Sequence, residues 1–278
     1  MSKPLCLWEP SVRIIIFSRY VYFIIFYLPQ IKIRKYVKIF LYHLLFIRKR
    51  ESGNLDMRGT AFIDLSHTIE NGLITYKGLP APIICDYLSR EESRKHYEKG
   101  TEFQIGKIEM VSNTGTYVDV PFHRFPDGKD LSETTINKMA GLEGVIVHVD
   151  EDNKEIDEEL FTDLDVKGKA VLIHTGWDKY WNTNKYFENH PYLTEKAAKY
   201  LAYKQAALVG IDSVNIDDTS GKARPVHTVL LRQEILIVEH LCNLKGLSNK
   251  DFLFYAVSPK IKGFGTFPVR AFAEVLTK

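Results

Sequence analysis

Apolar residues along this chain fall mostly in short blocks rather than in long helical stripes. Runs rich in Val, Ile, Leu and Phe, bounded by Gly, Asn, Asp or Pro, predict strands at residues 62–65, 144–149, 170–174, 208–211, 235–238, 252–257 and 271–275. Residues 103–111 alternate well enough for another strand. One segment has helical spacing: after Thr194, a plausible N-cap, Ala197, Ala198, Leu201 and Ala202 recur on one face up to Tyr203. Asn71-Gly72 marks a turn, 74–82 an irregular loop carrying Tyr76, and the charged stretch 89–99 a solvated helix or flap. Many strands, few helices and irregular connections predict an α+β (mixed β/α) fold rather than a Rossmann sheet of repeated βαβ units.

Charge divides the chain in two. Residues 1–56 hold ten Lys/Arg against three Asp/Glu, whereas the remainder is acidic despite an overall formal charge of +2. The acidic body excludes a nucleic-acid groove, which needs clustered cations to displace counterions. Within the basic part, the apolar run 14–28 is interrupted by Ser18 and Arg19, and so falls short of the ~20 residues of a membrane span. Residues 1–56 are therefore expected to be a start-site artefact, a disordered extension or a membrane-associated segment, with the functional domain at 57–278. Cys6, Cys85 and Cys242 are scattered and include no C-x-x-C, which points to reduced thiols and a cytoplasmic location, or a membrane-associated one if the N-terminal segment anchors the chain.

Candidate chemistry concentrates at residues 113–123, N-T-G-T-Y-V-D-V-P-F-H, where Asn113, Tyr117, Asp119 and His123 cluster around a glycine and a proline. Proline at 121 excludes a helix interior, so this segment is read as a strand end or loop. A carboxylate and an imidazole held there can bind a divalent metal or form an acid/base pair, and otherwise serve as a turn cap and a satisfied histidine. The segment resembles the H-x-G-T-H-x-D-x-P-x-H signature of the cyclase family of metal-dependent hydrolases, relatives of kynurenine formamidase and isatin hydrolase. Asn113 and Tyr117 stand where that signature has histidines.

The resemblance implies a swivelling β/β/α fold over residues 60–278, a small-molecule substrate and a homodimer or higher homo-oligomer. Later blocks support it in order: I-H-T-G-W at 173–177, L-V-G-I-D-S at 208–213 and F-G-T-F-P-V-R-A-F-A at 264–273. P-V-H-T-V-L-L and I-L-I-V-E-H supply His227 and Glu239, which with Asp119 imply one site for zinc or manganese. Amide and phenol are poor ligands, so the family's other metal position, at Asn113 and Tyr117, is expected to be lost. His123 is expected as the proton-transfer group and Tyr117 as donor to a developing oxyanion. Tyr76 is expected over a substrate ring, Asn113 as a hydrogen-bonding group and Arg270 as a fork for a substrate carboxylate. Lys222 and Arg224 are placed at the pocket opening. His67, His148 and His174 are read as structural.

Three functions follow in order of preference. The first is hydrolysis of a small amide or cyclic amide, as in an arylformamidase. The second is a metal-free ligand-binding protein on the same fold. The third is a metal-independent lyase or cyclase using His123 and Tyr117.

Overall fold

A computed structural model describes residues 60–150 and 152–276, which lie within one compact unit. The extension expected at 1–56 falls outside the described residues. Four parallel strands form the middle of the sheet: β5 (Leu142–His148), β7 (Ala170–His174), β9 (Leu208–Ile211) and β10 (Leu236–Glu239). On one side the sheet continues antiparallel through β11 (Phe252–Tyr255), β13 (Phe272–Val275) and β1 (Ala61–Asp64). On the other it ends in two short antiparallel strands, β4 (Tyr117–Asp119) and β12 (Thr266–Pro268). Nine strands thus make one mixed sheet.

Strand alternation builds two cores. Leu172, Leu208, Leu236, Val238 and Val118 join Phe254, Ala273 and Val275 of the antiparallel flank, so the sheet curls on itself around that cluster. Val171, Ile173, Val209, Ile211 and Ile237 point the other way and meet two helices, α2 (Glu195–Tyr203) and α3 (Pro225–Arg232). Thr194 caps α2 by accepting from the Ala197 N–H at 3.1 Å, as its sequence predicts. Further elements are a short helix α1 (Arg90–Ser93), an exposed ribbon of β2 (Ile83–Leu88) and β3 (Ile105–Glu109), a small pair of β6 (Glu155–Ile156) and β8 (Tyr192–Leu193), and short 3-10 turns such as Pro121–His123.

The α+β fold class holds, with one correction. The stretch leading from β7 through α2 to β9, and from β9 through α3 to β10, forms two successive parallel crossovers, so βαβ connections are present at the centre. Residues 225–232, ahead of the strand predicted at 235–238, are helical, with Pro225 in the first turn, where its missing N–H costs nothing. No helix among the described residues is long and apolar enough to cross a membrane.

Candidate active site

The antiparallel insertion of β4 beside β10 decides where the signature side chains point. Val118 opposes Val238 and faces the curled core, whereas Asp119 opposes Ile237 and Tyr117 opposes Glu239 on the helix-covered face. On the far side of β4, Thr266 of β12 opposes Asp119. Tyr117, Asp119, Glu239 and Thr266 therefore share one face, and α3 lays His227 over it.

His227 is oriented from behind. Asp217, in the loop before α3, accepts the backbone N–H groups of Val226 (2.7 Å) and His227 (3.1 Å) and pairs with the His227 ring through Nδ1 at 2.6 Å. One carboxylate thus caps the helix and fixes the ring, directing Nε2 toward Asp119 Oδ2 at 3.6 Å and Glu239 Oε1 at 3.7 Å. Burial opposes a charge on His227, but Asp119, Asp217 and Glu239 outweigh it and raise its pKa to about 10.

Asp119 is fully buried. Its Oδ1 accepts the Thr266 hydroxyl proton, while Oδ2 has no hydrogen-bond partner. Burial works against its ionisation, but His123 and His227 hold it below the usual carboxylate range. Because the Thr266 proton is spent on Asp119, Thr266 Oγ1 acts as acceptor for His123 Nδ1–H at 2.7 Å, which leaves His123 Nε2 with its lone pair. The His123 side chain is a third exposed and lines the cavity. Gly265 permits this approach: a Cβ there would lie 2.2 Å from the His123 backbone nitrogen.

Glu239 accepts the Ile216 N–H at 2.7 Å through Oε1 and the Tyr117 hydroxyl at 2.6 Å through Oε2, and burial raises its pKa. The Tyr117 phenol is buried, and burial followed by the Glu239 and Asp119 charges keeps it protonated. Its proton is committed to Glu239. The expectation of Tyr117 as a free oxyanion donor is therefore corrected: its hydroxyl positions Glu239.

The donor set fits a divalent cation. An unpartnered, buried Asp119 oxygen faces His227 Nε2 with a Glu239 oxygen beside it, an arrangement in which a cation could take the place of the proton that His227 holds between the two carboxylates. The 3.6 and 3.7 Å separations suit atoms roughly 2.0–2.2 Å from a shared ion. Among the described residues, Asp119, His123 and His227 form such a group, with one ligand atom from each within 4.8 Å of the others. Glu239, expected in that group, stands beside it, its two oxygens engaged by Ile216 and Tyr117.

A cavity of about 530 Å³ opens above this floor, lined by Tyr76, Asn113, Tyr117, His123, His227 and Glu239 among others. Tyr76 and Asn113 are thus brought to the site. Arg270 is not: its guanidinium is held by Asp64 across the β1–β13 pair, with Nε–Oδ2 at 2.9 Å, and its side chain is 78% exposed outside the cavity. The expectation of Arg270 as a carboxylate fork is corrected, since β1 supplies the carboxylate it binds. His148 and His174 end adjacent strands and meet at 2.9 Å through Nδ1 atoms, and His67 stacks on Trp181.

A family model described as "Putative cyclase" matches residues 63–218. The chain belongs to the cyclase family. It is 29% identical over 211 residues to a kynurenine formamidase of Geobacillus thermodenitrificans, covering 76% of this chain and 95% of that one. It is 27% identical over 221 residues to a kynurenine formamidase of Bacillus cytotoxicus, covering 79% and 100%. Isatin hydrolase A from Labrenzia aggregata superposes with a TM-score of 0.67 at 20% identity, covering 78% of this chain and 94% of the other. A structure described as a potential metal-dependent hydrolase with cyclase activity gives 0.65 at 24%, covering 79% and 100%. This member of the family departs from its signature at Asn113 and Tyr117 and holds three groups that its sequence did not mark. Asp217 was not singled out, although an acid ahead of a proline-started helix is a cue; Thr266 lay unremarked in the G-T-F-P block; Arg124 follows the motif directly.

Proposed function

We propose that residues 57–278 form a hydrolase of small-molecule amide C–N bonds, resembling an arylformamidase that converts N-formylkynurenine to kynurenine in tryptophan catabolism. The observation that carries this reading is the unpartnered Asp119 Oδ2 facing His227 Nε2 beneath a cavity that His123 also lines. Asp119, His227 and Glu239, the last through Oε1, which keeps a lone pair beside the Ile216 N–H and lies 3.7 Å from His227 Nε2, would hold one zinc or manganese ion, which when bound supplies Lewis-acid polarisation of a carbonyl and acidifies water. Asp217 keeps the His227 ring in the tautomer that presents Nε2, and Tyr117 steadies Glu239.

His123 handles the proton. With Nδ1–H on Thr266, its Nε2 accepts a proton from the attacking water and returns it to the nitrogen that leaves. Water adds to the carbonyl carbon, the C–N bond breaks, and the products are an amine and a carboxylic acid. Tyr76 and Leu79 on the cavity wall suit an aromatic substrate, and Asn113 offers an amide to its polar atoms. A homo-oligomer and a cytoplasmic place of action are part of this proposal.

Steady-state hydrolysis of formanilide, together with elemental analysis, tests it. Turnover with one equivalent of zinc or manganese, and loss of at least 100-fold in kcat on His123→Ala, is expected. A metal-free protein that binds aryl amides but never cleaves them overturns the reading in favour of a binding protein. Cleavage undiminished by a chelator overturns the metal role.

A further inference from the structure

The charged residues around the cavity divide by depth. The floor carries the carboxylates, whereas the charged side chains lining the cavity above it are all cationic: Arg124, Lys222 and Arg224. The lining carboxylate, Glu239, is buried and tied to Tyr117 and Ile216, so it does not neutralise them.

The three cations are placed by different means. Arg224 is spent largely on its own loop: Nη1 donates to the carbonyl oxygens of Asp218, Gly221 and Ala223, and the nearby Asp218 carboxylate offsets its charge. Arg124 directly follows His123 and is anchored through Nε to Thr228 Oγ1 at 3.1 Å, with its guanidinium 5.8 Å from the Phe125 ring centroid and no carboxylate partner among the described residues. Lys222 sits on the loop that Arg224 organises and has neither an ion-pair nor a hydrogen-bond partner among the described residues. Two cations are thus held over the cavity without a counter-charge, one of them on the residue next to the proton-transfer histidine.

Arg124 and Lys222 are both exposed at the cavity rim, so neither is desolvated at rest, and their like charges over one cavity gain Coulomb energy when an anion arrives. We infer that Lys222 and Arg124 bind an anionic group of the substrate, a carboxylate or phosphate remote from the bond that is cleaved, so that the enzyme selects acidic aryl amides over neutral ones. This rests on the hydrolase reading for the reaction but not for the binding. The role expected of Arg270 passes to Arg124 and Lys222, which line the cavity.

Two measurements separate the inference from that reading. In the first, kcat/KM is compared for 4-formamidobenzoate and formanilide. The wild-type protein should favour the carboxylate at least tenfold at low salt, with the preference residing in KM and shrinking as ionic strength rises. Lys222→Ala and Arg124→Ala should each lower that preference about tenfold, and Arg270→Ala should leave it unchanged. In the second, calorimetry measures benzoate, phenyl phosphate and benzamide binding to the metal-loaded protein. Benzoate or phenyl phosphate should bind at least tenfold more tightly than benzamide, the tighter of the two naming the anion, and Lys222→Ala should abolish the difference. Anion-selective binding without turnover would sink the hydrolase and leave this inference standing. Turnover with equal preference for charged and neutral substrates, or anion selectivity that survives both substitutions, overturns it.

Discussion

Replacing Asp217 with Asn removes one charge and no volume, and isolates what holds His227 in place. The carboxylate accepts three N–H donors, from Val226 at 2.7 Å, His227 at 3.1 Å and the His227 ring at 2.6 Å. An asparagine has a single oxygen, and its NH2 must confront at least one of those donors. A buried donor left without a partner costs about 1–3 kcal/mol, and the charge-assisted bond to the ring contributes a comparable amount. Urea unfolding of the metal-free Asp217→Asn protein is therefore expected to show a stability loss of about 3 kcal/mol. The ring is also freed to adopt the other tautomer, so metal affinity, measured by competition with a chromophoric chelator, should fall roughly 10- to 100-fold, and kcat/KM for formanilide with it. If stability falls while metal affinity and kcat/KM stay at wild-type values, Asp217 only caps α3 and the orientation argument is refuted.

Two further outcomes follow from the packing. A Cβ on Gly265 would lie 2.2 Å from the His123 backbone nitrogen and 2.4 Å from its Cα, so Gly265→Ala must displace residues 121–123 and should lower kcat on the order of 100-fold; Gly246→Ala, whose nearest neighbour is at 3.5 Å, serves as the control and should retain full activity. Burial lowers the pKa of His67 to about 4 against the opposing Asp178 charge, so between pH 6.5 and 4 the unfolded chain binds the extra proton and stability must fall as pH falls. That amounts to about 2 kcal/mol between pH 6.5 and 5, and His67→Phe, which can keep the stack on Trp181, should flatten this part of the stability profile in urea titrations.

The strands that bury both faces were legible because their β-branched runs leave little other choice: 170–174 and 208–211 coincide with β7 and β9. The ribbon strand β2 was missed because exposure of both its faces removes the alternation that marks a strand. β4 and β12, three residues each, carry no periodicity at all, and their existence depends on the edge that β10 offers. Helix α3 was not predicted, because Val226, Val229, Leu230 and Leu231 look strand-like, while its defining cap, Asp217, lies outside the local window. For the site, residue types were legible and partnerships were not. Asp119, His123, His227 and Glu239 were found from pattern, but that Tyr117 serves Glu239, that Thr266 joins Asp119 to His123, and that Asp64 captures Arg270 are facts of strand register.

The placement of Thr266 on the three-residue edge strand β12 gives the site its weakest hinge. Among the described residues that strand pairs with β4 alone, and Pro268 within it has no N–H to contribute. Edge segments of this kind open at a small fraction of the free energy of global unfolding. Each such opening detaches one hydroxyl from Asp119 and His123 at once, releasing the imidazole to rotate or to exchange tautomers while His227 and Glu239 stay in register on α3 and β10. Under the proposed mechanism a local fraying equilibrium would then govern turnover: on warming, activity should decline before the cooperative melt.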